Sequence, residues 1–209
     1  MQLLLIAILS MFLLAAVVTF TVMGLAQWKR SRALGRWANH NAMRFSPDDT
    51  FDVPNRYGQF ALISSGHSPC VHNVTYGRWH GLPVRAFDFH YEVGHGTRRI
   101  TRRYSVVLVK SDKPLESLLL WRDTDFARIA QACADGKVSS WSFMGSSAQA
   151  HEFARICQDL DRSGACIEVA DSTIMFGLPG SGRYDSQFMK IMEISMAIIS
   201  KDSQQAQKR

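Results

Sequence analysis

Residues 84–110 read VRAFDFHYEVGHGTRRITRRYSVVLVK, and this stretch decides the fold class. From Val84 to Val93 apolar and polar side chains alternate: Phe87, Phe89, Tyr91 and Val93 fall on one side, Asp88, His90 and Glu92 on the other. A period of two with aromatic and β-branched residues is the pattern of a strand with one packed face and one polar face. Gly94, His95, Gly96 and Thr97 form the turn, because glycine reaches the positive φ that tight hairpins need. If Val93 faces Arg98, then Tyr91 faces Ile100 and Phe87 faces Tyr104 on the packed side. Glu92 then meets Arg99, and Asp88 meets Arg103, on the polar side. Such cross-strand pairs contribute about 0.2–1 kcal/mol each.

Outward from this hairpin, Phe60–Ser64 and His72–Trp79 complete an antiparallel meander with Val84–Val93 and Arg98–Lys110. Beyond Pro114 the pattern becomes mixed. A strand at Ser117–Trp121 leads into a helix over Asp123–Ala134, whose buried stripe is Phe126, Ile129, Ala130 and Cys133, and Gly136 stops it. A strand follows near Val138–Met144. Ser146 and Gln149 have the spacing of a capping box, opening a helix that buries Ala150, Phe153, Ile156, Cys157 and Leu160 and ends at Gly164. Strands at Ala165–Ala170 and Thr173–Phe176 flank the turn Asp171-Ser172, and a last helix runs from Asp185 to Ser200. No internal repeat stands out.

Toward the amino terminus the chain is of another kind. Met1 to Trp28 carries no ionisable side chain, and Leu3–Leu25 is almost wholly apolar. A helix of this length covers the ~30 Å hydrocarbon core of a bilayer. A secretory signal peptide is the competing reading, with Gly24 and Ala26 at signal-peptidase spacing. Against it, no basic residue precedes the apolar run, and the run exceeds the usual ~7–15 residues. A buried core helix apolar on every face is a third alternative. Lys29, Arg30, Arg32, Arg36 and Arg44 all precede the first acidic residue, Asp48. Basic residues beside a span stay on the cytoplasmic side, so the expected arrangement is a single pass through the cell inner membrane, amino terminus outside and domain in the cytoplasm.

The expected fold class is therefore α+β: a transmembrane helix (1–28), a basic juxtamembrane linker (29–55), a soluble domain (56–200) holding the meander and the mixed second half, and a polar tail (201–209). The bases at the linker account for most of the formal net charge of +6, which removes the main support for a nucleic-acid role. Cys70, Cys133, Cys157 and Cys166 show no CxxC pair, so they read as free thiols in a reducing compartment.

Asp88, His90 and Glu92 at i, i+2, i+4 share a face and are the best acid–base candidates, although solvated sheet faces carry the same residues. Lys29, Arg30, Arg32 and Arg36 are candidates for contact with anionic lipid headgroups. Arg78, Arg85, Arg98, Arg99, Arg102 and Arg103 suit a solvated charged face better than an anion site. His90 with His95 and Cys70 with His72 are the nearest metal-type pairs, but zinc needs three or four ligands and neither pair supplies them, so no metal and no cofactor is expected. Gly177–Gly182 lacks the Lys and Ser/Thr of a P-loop, and no GxSxG or HExxH occurs. Asn73-Val74-Thr75 is a glycosylation acceptor only in an exported domain. Met189, Met192 and Met196 have the helical spacing of core residues, with a partner-binding face as the alternative.

Asn73, Val74, Gly77, Gly81, Val84, Phe87, Asp88, Tyr91, Gly94 and Gly96, set in a meander after one span, resemble a group of uncharacterised bacterial single-pass membrane-anchored proteins. The resemblance implies a shared fold rather than a shared reaction. The functional expectation is a non-enzymatic interaction or scaffolding module whose partners are the bilayer and a protein or a second copy, with no nucleic acid. The alternative is a membrane-bound enzyme using Asp88, His90 and Glu92 on an anionic substrate.

Overall fold

The computed structural model of the chain describes residues 2–112, 114–122, 134–160, 164–180, 191, 193 and 194. An apolar amino-terminal helix and a large antiparallel sheet with a few further helices make the fold α+β. Helix α1 runs without interruption from Gln2 to His40. Its segment Leu4–Val22 is long and apolar enough to cross a membrane, and none of it is buried against the described residues. Thr19 and Thr21 return their hydroxyls to the carbonyls of Ala15 and Val17 at 2.8 and 2.7 Å, so neither polar group is left unpaired in the apolar run.

The sheet comprises β1 (Arg44–Asp48), β2 (His67–Trp79), β3 (Leu82–Val93), β4 (Ile100–Lys110), β5 (Leu118–Trp121), β6 (Gly136–Val138), β7 (Trp141–Gly145), β8 (Cys166–Ala170) and β9 (Thr173–Pro179). Its spatial order is β1-β2-β3-β4-β9-β8-β5-β7-β6, and every neighbouring pair is antiparallel. Both faces are covered. On one, Val84, Ala86, Val107, Val109, Ile174 and Phe176 pack under Leu34 and Ala38 of α1 and under Ala150, Phe153 and Cys157 at the α3 end, α3 being Ser147–Ile156. On the other, Phe87, Phe89, Tyr91, Val106 and Met175 lie beneath the segment 53–63, which opens with the short helix α2 (Val53–Arg56) and contributes Val53, Tyr57, Phe60, Leu62 and Ile63.

Phe60–Ser64 is not a strand. It is a run of turns carrying Phe60, Leu62 and Ile63 into the second core, so its apolar content reflects burial rather than sheet pairing. The edge beyond β2 is taken instead by β1, with Phe45 opposite Thr75, inside the region read as linker. The hairpin register also differs. A 3₁₀ turn over Gly96–Arg98 lengthens the connection, so Val93 faces Ile100, Phe89 faces Tyr104 and Phe87 faces Val106. The shift is by two residues, which preserves the faces while changing every partner.

Ser146 stands at the start of α3, but its side chain makes no capping bond, and Gln149 Nε2 donates to the Glu116 carbonyl at 3.4 Å. The capping box is therefore not formed, because Gln149 is drawn toward the preceding loop. Ala150, Phe153, Cys157 and Leu160 are buried as expected and Ile156 is half-buried. Val138–Met144 is two strands with a turn at Ser139-Ser140, while β8 and β9 fall where expected. The helix read at Asp123–Ala134, the Met189–Met196 stripe and Cys133 lie outside the described residues, apart from Ala134. Cys70, Cys157 and Cys166 are free thiols.

Candidate functional site

Arg30, Leu34 and Ala38 recur at i, i+4, i+8 and form one stripe of α1 directed at the sheet. Leu34 and Ala38 are buried in the first core. One and two turns earlier the sheet face below is no longer apolar, because Val84 and Ala86 of β3 give way to Asp88, His90 and Glu92. There the stripe supplies a guanidinium. Arg30 donates from Nε to Asp88 Oδ2 at 3.0 Å and from Nη2 to Oδ1 at 2.7 Å, a bidentate pair whose side chains are only 19 % and 18 % exposed. Asn73 Nδ2 donates to the same Oδ2 at 2.8 Å. Asn73 sits at φ 54° where the β2–β3 register shifts between His72 and Thr75. Asparagine tolerates that left-handed backbone, and the irregularity turns its amide toward the carboxylate.

Next along the same face, Cys70 lies opposite His90, and His72 opposite Asp88. Cys70 Sγ is 3.1 Å from His72 Nε2, and the His72 and His90 rings are 5.6 Å apart at 30°. The nearest ligand atoms of Cys70, His72 and His90 all lie within 4.8 Å of one another. Burial, the His72 ring and the Arg103 charge lower the pKa of His90, against opposing effects of Glu92 and Asp88. Farther still, Glu92 Oε2 forms an ion pair with Arg99 Nη1 at 3.2 Å and lies 3.7 Å from His67 Nδ1. His67 Nε2 approaches the Gly94 carbonyl at 2.7 Å, and its ring stacks on His95 at 5.2 Å.

The expected acid–base trio thus shares a face, yet each member has its own partners. Asp88 is held by Arg30 and Asn73, His90 lies with Cys70 and His72, and Glu92 is held by Arg99. The expected Asp88–Arg103 pair does not occur, since Arg103 faces His90 in the actual register. His95 goes to His67, away from His90. Among the four juxtamembrane bases, Arg30 turns to the sheet while Lys29, Arg32 and Arg36 line an open groove with Trp28 and Ala33. The Arg32 guanidinium lies 4.0 Å from the Trp28 ring centroid, a cation–π contact at the same level.

One buried titratable group, Glu168, escaped the sequence reading. Glu168 of β8 points into the second core, where its Oε2 accepts the Ala61 amide at 2.7 Å; burial pushes its pKa up to about 7 despite that bond. Burial likewise pushes the Cys157 thiol up to about 12 and raises that of Cys166 further. Alternation along CIEVA put Glu168 on a core face, which was the available signal.

No protein-family model matches the sequence, and neither does any curated protein. Among solved structures the fold is similar to the crystal structure of the mycobacterial trehalose monomycolate transport factor A, TtfA. The two share 10 % identity at a TM-score of 0.55, over 81 % of this chain and 92 % of that one. At this identity the likeness is one of fold.

Proposed function

We propose that this chain is a membrane-held interaction module: α1 crosses the bacterial inner membrane with its amino terminus outside, and the sheet domain is presented to a protein partner or a second copy on the cytoplasmic side. The observation that carries this reading is the continuity of α1, which leaves its apolar segment at Val22 and is bonded to the sheet at Arg30. Eight residues of helix span about 12 Å, so the domain sits close beneath the headgroups without a flexible tether. A domain joined rigidly to its anchoring helix suits a scaffold better than a freely diffusing enzyme.

Orientation is supported by Lys29, Arg32 and Arg36 at the end of the span. With Trp28 beside them, these bases would also meet anionic headgroups, at about 1 kcal/mol per charge near the surface. The similar fold of a mycobacterial transport factor agrees with a role as accessory to membrane transport machinery, exercised by contact and not by turnover. Two measurements on the full-length chain in bacterial membranes test the proposal. A reporter fused after Arg209 should be active only if cytoplasmic, and photo-crosslinkers at exposed sheet-edge positions such as Arg44 and Lys137 should trap a discrete partner or dimer. An externally active reporter would overturn the orientation, and no discrete adduct from either edge would overturn the scaffold role.

A further inference from the structure

Independently of the membrane role, strand pairing assembles what the linear sequence did not. Cys70 and His72 were one ligand short when read along β2, and β3 supplies the missing one: His90 is the cross-strand neighbour of Cys70. We propose that Cys70, His72 and His90 form a binding site for a thiophilic divalent transition-metal ion, Zn(II) in particular, with its fourth position open to water or a small ligand.

The geometry is close to that of a bound ion. Tetrahedral zinc with Zn–N of about 2.0–2.1 Å and Zn–S of about 2.3 Å separates its ligand atoms by about 3.3–3.6 Å. Cys70 Sγ and His72 Nε2 are already 3.1 Å apart, and the whole set lies within 4.8 Å. Small χ rotations of half-buried side chains close the remainder. The backbone under the site is pinned as well. Cys70, Val71 and His72 pair regularly with His90, Phe89 and Asp88, and the register shifts on either side of them, between His67 and Cys70 and between His72 and Thr75. Such irregularities re-aim side chains and recur beside functional sites.

Ligand type agrees. Metal binding converts the Cys70 thiol to a thiolate, which offsets part of a divalent ion's own charge, while Asp88 and Glu92 on the same face are paired with Arg30 and Arg99. One thiolate with two imidazoles is a donor set for zinc or copper and a poor one for calcium or magnesium, which require oxygen ligands. Three protein ligands with one open position is the pattern of sites that bind or activate a small molecule, whereas closed structural sites use four.

The test uses the full-length protein, purified in detergent without a polyhistidine tag and titrated with Co(II) and then Zn(II). Binding of one Co(II) per chain should give the near-ultraviolet thiolate-to-cobalt charge-transfer band and the intense visible bands of a tetrahedral centre, both abolished by Zn(II). Cys70→Ser should remove the charge-transfer band, and His72→Ala and His90→Ala should each weaken binding by at least the ~10–100-fold seen when even an outer-shell partner is lost. His95→Ala, which lies outside the site, should leave it unchanged. Circular dichroism of each variant tests folding, and His90→Gln stands in should His90→Ala not fold. Absence of the charge-transfer band in the unmodified protein would overturn the proposal. So would binding in Cys70→Ser and in folded His90 variants as tight as in the parent, which would mark adventitious metal elsewhere.

Discussion

Breaking the Arg30–Asp88 pair should loosen the whole attachment of helix to sheet. The two hydrogen bonds, at 3.0 and 2.7 Å, join side chains roughly four-fifths buried. A unit-charge pair at about 4 Å in such surroundings attracts by about 4 kcal/mol. Desolvation of both groups offsets about half of that, leaving a net contribution of about 2 kcal/mol. Arg30→Ala alone should cost more, about 3 kcal/mol, because it leaves Asp88 with the Asn73 amide as its one side-chain partner among the described residues. The assay is a double-mutant cycle of Arg30→Ala and Asp88→Ala by denaturant unfolding of the detergent-solubilised chain. Arg30→Asp should be worse than either, and adding Asp88→Arg should restore part of the loss. A coupling energy below about 0.3 kcal/mol, within the error of additive sites, would refute the clamp.

Glu168 gives a pH prediction. Its pKa stands at about 7 in the fold against 4.5 for the ordinary side chain, so between those values the unfolded chain ionises while the buried carboxyl keeps its proton. Stability should fall as pH rises through that window, by at most about 3 kcal/mol, and be flat above it. Denaturant midpoints at about pH 5 and about pH 8 should differ in the parent and differ less in Glu168→Gln, which is more stable than the parent at the higher pH; an unchanged slope would contradict this. Gly177 of β9 is wedged in the second core, where a Cβ would come within 2.5 Å of Leu62 Cδ2 and 2.6 Å of Cys166 Sγ. Gly177→Ala should destabilise by about 1–3 kcal/mol through overpacking, and a melting temperature equal to the parent's would show that the segment above β9 moves aside freely.

The strands of the sheet centre were legible because their alternation is strong: Phe87, Phe89 and Tyr91 face one core, and Asp88, His90 and Glu92 the other side. Register was not, since it depends on whether Gly96–Arg98 winds into a 3₁₀ turn, a choice that adds two residues and leaves the hydrophobic pattern untouched. Phe60–Ser64 was misread for a related reason. A short apolar run is buried in either a strand or a close-packed loop, and periodicity cannot separate them. At the site, sequence reading placed Asp88, His90 and Glu92 on one face and paired Glu92 with Arg99, as the structure does, but it paired Asp88 with Arg103. The actual neighbours of Asp88 and His90 come from segments distant in sequence: Arg30 from α1, and Cys70 and His72 from β2. Arg30 was read with the other bases as facing lipid, although its position one helical turn before Leu34, itself one turn before Ala38, marks it as part of the buried stripe. His90 completes a ligand set only once β2 and β3 are paired, and no spacing rule reaches across that hairpin.

The central claim is that one unbroken helix carries the domain rigidly at the membrane. The most direct test is the distance between spin labels at Val22→Cys, where the apolar segment ends, and Lys137→Cys on the far edge strand β6, in the full-length chain reconstituted in lipid nanodiscs with Cys70 and Cys133 replaced by serine. A rigid connection predicts one narrow distance distribution that broadens when Arg30→Ala is added. A broad or multimodal distribution in the chain with Arg30 intact would contradict it.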